Sequence, residues 1–167
     1  MSSSVVPGSL DSVEVHNFMT FTHATFRPGQ GFNVILGPNG SGKSSLVSAI
    51  NIGLGGPVQI LGRQQNMAEF INNDIPGAEA KIQIKLFKDE SGTAFTVIEC
   101  NIRKDKTFPE GKATFKVDGK LESAIHVRRL AKDLQIQTDN MCQFLPQDVV
   151  RRFPEMNSQE IFVHTIR

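Results

Sequence analysis

The segment that most constrains this chain is a glycine-rich loop that fits the pattern G-x-x-x-x-G-K-[ST] throughout. It reads Gly37-Pro38-Asn39-Gly40-Ser41-Gly42-Lys43-Ser44. The apolar run from Phe32 to Leu36 before it predicts a buried strand. Apolar residues at helical spacing after it predict a helix over residues 43–54, which Gly55-Gly56-Pro57 would end. The helical apolar positions are Leu46, Val47, Ile50 and Leu54. A strand, this loop and a helix, in that order, predict a phosphate-binding loop.

The residue types in the loop suit that chemistry. Glycines let the backbone wrap around an anion with its N–H groups turned inward, and the following helix adds the positive end of its dipole. Lys43 is expected to bridge the β- and γ-phosphates of a nucleoside triphosphate, and the Ser44 hydroxyl to coordinate Mg²⁺. Asn39 is expected to serve the conformation of the loop. The sequence therefore predicts a site for ATP and Mg²⁺.

The rest of the chain predicts an α/β fold that has a mixed sheet with an antiparallel subdomain and flanking helices. Apolar and polar residues alternate from Glu79 to Phe87, which indicates a half-exposed strand, and Asp118-Gly119 is a hairpin signal. Other strands are predicted at residues 13–18, 21–26, 94–103, 114–117 and 141–145. Helices are predicted at residues 67–72, from the capping-box pattern at Asn66, and after Ser123, with Val127, Leu130, Ala131 and Leu134 facing inward.

Length and composition indicate one soluble domain. The chain has 167 residues, of which 39% are hydrophobic and 21% charged, and no apolar run approaches the roughly 18 residues of a membrane span. The N-terminus shows no secretory pattern. Cys100 and Cys142 lie in apolar surroundings without a CxxC partner, so both are expected to be inert buried thiols in a reducing compartment.

The net charge of +1 hides an uneven distribution. Between Arg103 and Lys132 there are nine basic residues and four acidic ones. Candidate contacts to DNA phosphates in this stretch are Arg103, Lys104, Lys106, Lys112 and Lys116. A solvated basic hairpin explains the same residues equally well, because no aromatic residues alternate with the lysines. Arg128, Arg129 and Lys132 are expected on the outer face of the second helix.

The glycine-rich loop, with antiparallel strands before it and a glutamine after an apolar strand much later, resembles the N-terminal lobe of ABC-type ATPase heads. The Pro-Asn-Gly-Ser-Gly variant is common in the structural maintenance of chromosomes (SMC) family. Leu61-Gly62-Arg63 and Cys142-Gln143-Phe144-Leu145-Pro146-Gln147-Asp148-Val149 resemble that family more closely. The resemblance extends from about Ser12 to Glu160.

This resemblance implies roles for further residues. Gln147 would be the Q-loop glutamine, which joins Ser44 on Mg²⁺ and helps to place the attacking water. Gln143 is a weaker candidate, since it would lie inside the predicted strand, and Gln147 could instead be a turn residue after Pro146. Arg63 would lie near the bound nucleotide, or could be a solvated loop residue. Ser45 would also belong to the nucleotide site.

The resemblance also implies a larger assembly. SMC heads sandwich ATP between two heads by means of a Leu-Ser-Gly-Gly-Gln sequence and a catalytic glutamate on the C-terminal lobe, and these 167 residues contain neither motif. The expected division is a flexible leader (1–11, with order from near Ser12), the N-terminal lobe (12–157), and the start of a helix entering a coiled coil (158–167). Expected partners are the C-terminal lobe of the same head, a second SMC protein as heterodimer partner, non-SMC subunits, and DNA in the nucleus.

Two other interpretations share the loop. A P-loop kinase for a small molecule would carry parallel βαβ units, and a non-catalytic half head would bind without turnover. His16, His23, His126 and His164 do not follow a strand ending in Asp-Glu, so none matches the switch histidine of ABC-type heads. They are expected to be ordinary surface or hydrogen-bonded histidines.

Overall fold

Six strands form one antiparallel sheet in this computed structural model, which describes residues 5–61, 66–75 and 79–138. The strands are β1 (Leu10–Phe18), β2 (Phe21–Phe26), β3 (Ala80–Phe87), β4 (Phe95–Arg103), β5 (Lys112–Val117) and β6 (Lys120–Glu122). Their order is β2-β1-β3-β4-β5-β6. The described helices are α1 (Lys43–Gly53), α2 (Ala124–Asp133) and the 3₁₀ helices Val58–Leu61 and Met67–Phe70. The predicted α/β class, with its antiparallel sheet and flanking helices, is confirmed.

The core lies on one face of this sheet. In β3 the alternate residues Ala80, Ile82, Ile84 and Leu86 are buried, as the sequence pattern predicts. The helix α1 packs closely on this face, because a Cβ placed on Gly53 would come within 2.5 Å of Ile84 Cδ1. Burying each large aliphatic side chain contributes about 1.5–3 kcal/mol. This packing fixes the direction in which α1 leaves the glycine-rich loop.

The inward face of α1 differs from the predicted one. Leu46 and Leu54 are buried as expected, but Val47 is exposed. Ala49 and Ile52 are fully buried instead. The close approach at Gly53 brings the small side of the helix against the sheet, which turns Val47 away from it. The predicted end of the helix at the glycine pair is confirmed to within one residue.

The helix α2 begins as predicted, but one of its basic residues is not on the outer face. Ser123 Oγ accepts a hydrogen bond from His126 N at 3.1 Å. Arg128 Nε and Nη2 both donate to the carbonyl oxygen of Gly55, at 2.9 and 2.7 Å. A charged donor contributes roughly 1.5–3 kcal/mol in such a bond. Arg128 therefore ties α2 to the end of α1, while Arg129 and Lys132 are exposed as expected.

The apolar run before the glycine-rich loop is not a buried strand. Residues 32–36 have no regular secondary structure. Phe32 and Leu36 are 93% and 87% exposed, and Val34 and Ile35 are exposed as well. An apolar strand of this kind is buried only when neighbouring strands and helices cover both faces. The strand pairs of the described sheet are all antiparallel and leave this segment uncovered, so the mixed sheet predicted from the sequence is not formed by the described residues.

The segment predicted as a flexible leader is docked from Val5 onward. Val5 N and Gly8 N donate to the carbonyl oxygens of Glu90 and Phe87, at 3.2 and 2.7 Å. The strand β1 already begins at Leu10. Val5 is buried against the β3–β4 turn, and the small, polar residues of this segment did not predict that apolar contact. Residues 1–4 lie outside the described part.

The short helix predicted after Asn66 is a 3₁₀ helix that ends at Phe70, and Asn66 makes no side-chain cap hydrogen bond. A capping side chain accepts from the second or third N–H of the helix. Here Ala68 N instead donates to the carbonyl oxygen of Glu110 at 2.8 Å. A tertiary contact has therefore replaced the predicted cap.

Cys100 is confirmed as an inert buried thiol, because burial in β4 raises its pKa to about 12. Cys142, the strand predicted at residues 141–145 and the helix predicted at 158–167 all lie outside the described residues. Within the described ranges, every helix is too short or too polar to cross a bilayer.

Candidate nucleotide-binding site

The glycine-rich loop follows the β1–β2 hairpin and runs directly into α1. Gly42 is the N-cap residue of that helix, and its carbonyl oxygen accepts from Leu46 N at 3.0 Å. Earlier in the loop, Ser41 N donates to the carbonyl oxygen of Pro38 at 3.3 Å. Gly40 and Gly42 have φ angles of 83° and 92°, a region that favours glycine. The loop is thus folded back on itself immediately before a helix N-terminus, a conformation suited to an anion.

The Lys43 side chain lies across the loop. Its Nζ donates to the carbonyl oxygens of Gly37 and Pro38, both at 2.7 Å. Both acceptors are uncharged, so a phosphate oxygen would be a stronger acceptor for the same ammonium group. The structure therefore holds the positive charge of Lys43 at the loop, where an anion could replace the two carbonyls.

Charge at the start of α1 has one sign only. Lys43 occupies the first helical position, and the first turn contains no acidic residue. A helix N-terminus carries partial positive charge, so a cation there costs about 0.3–1 kcal/mol and an anion would be stabilised. Stability of the helix alone does not explain a lysine at this position. An anionic ligand bound at the loop does explain it.

The remaining loop residues fit ATP and Mg²⁺. Ser44 and Asn39 are exposed beside Lys43. The Ser44 hydroxyl is therefore accessible to a metal ion that would accompany the phosphates. Ser45 is buried, and its Oγ lies 3.5 Å from Thr20 Oγ1, so its side chain faces the β1–β2 hairpin. Lys43 and the backbone of the loop would hold the phosphates, and Ser44 would hold Mg²⁺.

Phe21 is a supporting residue that the sequence analysis missed. A Cβ placed on Gly42 would lie 2.3 Å from Phe21 Cζ. The Phe21 ring stands edge-on to Phe26, with their centroids 5.5 Å apart. The first residue of β2 therefore supports the base of the loop. No local pattern connects this phenylalanine to a glycine so much later in the chain.

Three residues were predicted from the family resemblance alone. Arg63, Gln143 and Gln147 lie outside the described residues. Their roles remain predictions, and the described part of the site consists of the loop, the start of α1 and Phe21.

Four of the five candidate DNA-contact residues lie at the β4–β5 turn. Arg103 and Lys112 are direct cross-strand neighbours, and Lys104 and Lys106 lie in the exposed turn between the two strands. Like charges placed opposite each other in a sheet are destabilising, which favours an anionic partner here. The Asp105 carboxylate partly offsets this repulsion, because Arg103 Nε lies 3.5 Å from Asp105 Oδ2. Lys116 lies further along β5, opposite Glu99.

An aromatic ring also lies in this turn. Lys112 Nζ is 4.4 Å from the centroid of the Phe108 ring, a distance suited to a cation–π contact. The ring is therefore covered on one side by its own lysine. That face of the ring is therefore occupied and is not available for base stacking.

Comparisons with known proteins agree with the predicted resemblance. A protein-family profile described as an AAA domain matches residues 12–164. The chain is 34% identical over 161 residues to SMC protein 5 of Arabidopsis thaliana and 34% identical over 160 residues to that of Schizosaccharomyces pombe, in both cases over 96% of this chain. Human SMC protein 6 is 23% identical over 158 residues, or 91% of this chain. The chain spans 14% of the length of each of these relatives.

Solved structures share the fold. One, from a study of ATP-driven dimerization and DNA-stimulated activation of SMC ATPases, superposes with a TM-score of 0.77 at 21% identity, over 93% of this chain and 96% of that chain. An Smc head domain derived from Pyrococcus furiosus, with an extended coiled coil and bound to the C-terminal domain of ScpA, gives a TM-score of 0.72 at 20% identity, over 93% and 40% of the two chains. The chain therefore belongs to the AAA-domain family, with the sequence and fold of the N-terminal lobe of an SMC head.

Proposed function

We propose that this chain is the ATP-binding N-terminal half of an SMC head that acts in chromosome maintenance, DNA repair and recombination in the nucleus. ATP and Mg²⁺ bound at the Gly37–Ser44 loop would be sandwiched against a second head, so that nucleotide binding joins two heads on DNA. The observation that carries this proposal is the placement of Lys43. Its ammonium lies over the loop at a helix N-terminus whose first turn has no acidic residue.

The exposed apolar run supports a covering lobe. Phe32 and Leu36 are almost fully exposed, and they directly precede the nucleotide loop. Exposed apolar groups in contiguous sequence are typical of an interaction surface. We infer that the C-terminal lobe of the same head covers them and provides the neighbouring strand. A partner SMC protein, by resemblance SMC protein six, and non-SMC subunits would complete the assembly.

Contact with DNA is proposed for the β4–β5 turn. Arg103 and Lys112 oppose each other there, and Lys104 and Lys106 extend the positive charge into solvent. Contacts of this kind would bind the phosphate backbone without sequence preference and weaken with salt.

The double substitution Lys104→Glu and Lys106→Glu is expected to weaken DNA binding. It should also make the slope of log affinity against log salt concentration shallower, by the amount that corresponds to losing about one to two phosphate contacts. Fluorescence anisotropy with a labelled duplex at several salt concentrations measures both quantities. Lys85→Glu with Lys88→Glu makes the same charge change at the opposite end of the β3–β4 hairpin, and serves as the matched control. Equal loss in both double variants would indicate a general charge effect rather than a DNA contact at the turn.

The chain alone is expected to bind Mg-ATP weakly and to hydrolyse it negligibly. The Leu-Ser-Gly-Gly-Gln sequence does not occur in these 167 residues. In SMC heads the C-terminal lobe supplies the carboxylate that polarises the attacking water. Release of phosphate, measured with the purified chain before and after addition of a separately purified C-terminal lobe, should rise only after the addition. Robust turnover by the chain alone, abolished in Lys43→Ala, would contradict the proposal.

Transfer to an added acceptor and release of phosphate together separate the rival functions. A small-molecule kinase would transfer phosphate to an added acceptor, but the antiparallel sheet of the described residues does not resemble the βαβ units of such enzymes. A binding-only half head would bind ATP and show no turnover even with the added lobe.

A further inference from the structure

A compact cluster of two histidines and one glutamate, His16, His23 and Glu14, lies on the sheet face opposite the buried Val13 and Val15. His16 Nε2 lies 2.9 Å from Glu14 Oε1, and His23 Nε2 lies 3.1 Å from the same oxygen. The two imidazole rings are stacked, with centroids 4.2 Å apart and planes 12° from parallel. One potential ligand atom from each residue therefore lies within 4.8 Å of the other two.

The pairing of β1 with β2 places these three side chains next to one another. Glu14 and His16 are two residues apart on β1, so their side chains lie on the same face of the sheet. His16 and His23 are direct cross-strand neighbours in the β1–β2 hairpin, in which Phe18 also pairs with Phe21. Side chains of such neighbours have Cβ atoms about 4.5–5.5 Å apart. The site is thus built on two paired strands rather than on a loop, which lowers the entropy lost when a ligand is bound.

We propose that Glu14, His16 and His23 bind a divalent transition-metal ion such as Zn²⁺, with an open coordination position toward solvent. Two imidazoles and a carboxylate are the ligand set of many three-ligand zinc sites. Tetrahedral coordination, with bonds of about 2.0–2.2 Å, places ligand atoms about 3.3 Å apart. The distances from Glu14 Oε1 to the Nε2 atoms of His16 and His23, 2.9 and 3.1 Å, are within a few tenths of an ångström of that value. Imidazole nitrogen favours Zn²⁺, Cu²⁺ and Ni²⁺ over Mg²⁺ and Ca²⁺, which prefer oxygen ligands.

The charges around the cluster are compatible with a cation. The Glu14 carboxylate contributes a negative charge to the cluster, which attracts a cation. Lys81 is the cross-strand neighbour of His16 on β3 and opposes cation binding. Its side chain is exposed, so solvent screens that repulsion. The side chains of Glu14, His16 and His23 are 38%, 45% and 54% exposed, which leaves a path for an ion to enter.

Titration of the full chain with Zn²⁺ near neutral pH, without nucleotide and without an affinity tag, tests the site by calorimetry. One ion per chain should bind with an affinity in the micromolar range. His16→Gln and His23→Gln should each weaken this binding by at least about 100-fold, because losing even a partner outside the ligand shell commonly costs roughly 10–100-fold. Co²⁺ in place of Zn²⁺ should give the visible absorption of a tetrahedral site in the unchanged chain only.

His126→Gln is the matched control. This exposed histidine lies 3.9 Å from Glu122, so it forms a similar pair that lacks the second imidazole. Zn²⁺ affinity should be unchanged in this variant. Far-ultraviolet circular dichroism should show the same fold in all three variants, since each substituted side chain is about half exposed. Zn²⁺ binding that is equally strong in His16→Gln and His23→Gln, or no binding by the unchanged chain, would overturn the proposal.

Discussion

Lys43→Ala is expected to weaken Mg-ATP binding by at least about 100-fold while changing the free energy of unfolding by less than about 1 kcal/mol. Hydrogen bonds from a charged donor contribute about 1.5–3 kcal/mol each, and this lysine is proposed to contact the β- and γ-phosphates. The variant also loses the hydrogen bonds to Gly37 and Pro38, but both bonds are exposed to solvent, where water replaces the ammonium as donor, so their loss costs little stability. The variant gains some stability, however, because alanine has a higher helix propensity than lysine and because the substitution removes a positive charge from the helix N-terminus. Binding and stability should therefore separate in this variant.

Calorimetry with Mg-ATP and urea unfolding measure the two quantities on the same preparations. Lys88→Ala, at an exposed lysine of the β3–β4 turn, is the control and should leave both unchanged. Lys43→Arg should also bind poorly, because a planar guanidinium does not replace a compact ammonium in a tight loop. ATP binding that survives Lys43→Ala at full strength would show that the glycine-rich loop does not hold the phosphates.

Local periodicity accounts for much of this fold. The alternation in β3 and the serine cap of α2 predicted both elements, because each signal depends on residues close in sequence. The nucleotide loop was predicted for the same reason, since all eight of its residues are contiguous. The confirmed family resemblance rested on the loop and on strings elsewhere in the chain, so it did not depend on long-range packing.

The structural predictions that were wrong all depend on contacts between residues distant in sequence. The run from Phe32 to Leu36 has the composition of a buried strand, but burial depends on which neighbours cover it, and composition does not report that. Arg128 was expected in solvent because helical spacing cannot show that its guanidinium reaches Gly55. Phe21 beneath Gly42 had no local signal either.

The histidine–glutamate cluster is an intermediate case. Glu14 and His16 alternate on one predicted strand, and the short gap between Phe18 and Phe21 is compatible with a tight hairpin. Pairing across that hairpin would have placed His23 opposite His16, as the observed register does. The signal was therefore present in the sequence, but it depends on the pairing of two strands and not on any single histidine.

Gly42→Ala is expected to lower the free energy of unfolding by about 2–4 kcal/mol, more than Gly40→Ala, for which about 1–2 kcal/mol is expected. Both glycines have positive φ angles, so alanine strains the backbone at either position. Only at Gly42 would the new Cβ also meet a ring, at 2.3 Å from Phe21 Cζ, whereas nothing lies within 4 Å at Gly40. The difference between the two variants therefore measures the contact with Phe21.

Urea unfolding of both single variants, of Phe21→Leu and of Phe21→Leu with Gly42→Ala gives a double-mutant cycle for this contact. Replacing the ring with the smaller leucine side chain should recover the part of the lost unfolding free energy in Gly42→Ala that comes from the clash. The part that comes from backbone strain should remain. Equal losses in Gly40→Ala and Gly42→Ala, with no coupling to Phe21, would mean that the ring moves aside freely. A positive coupling would instead show that β2 holds the last glycine of the loop in place, and that the hairpin helps to position the site for phosphate.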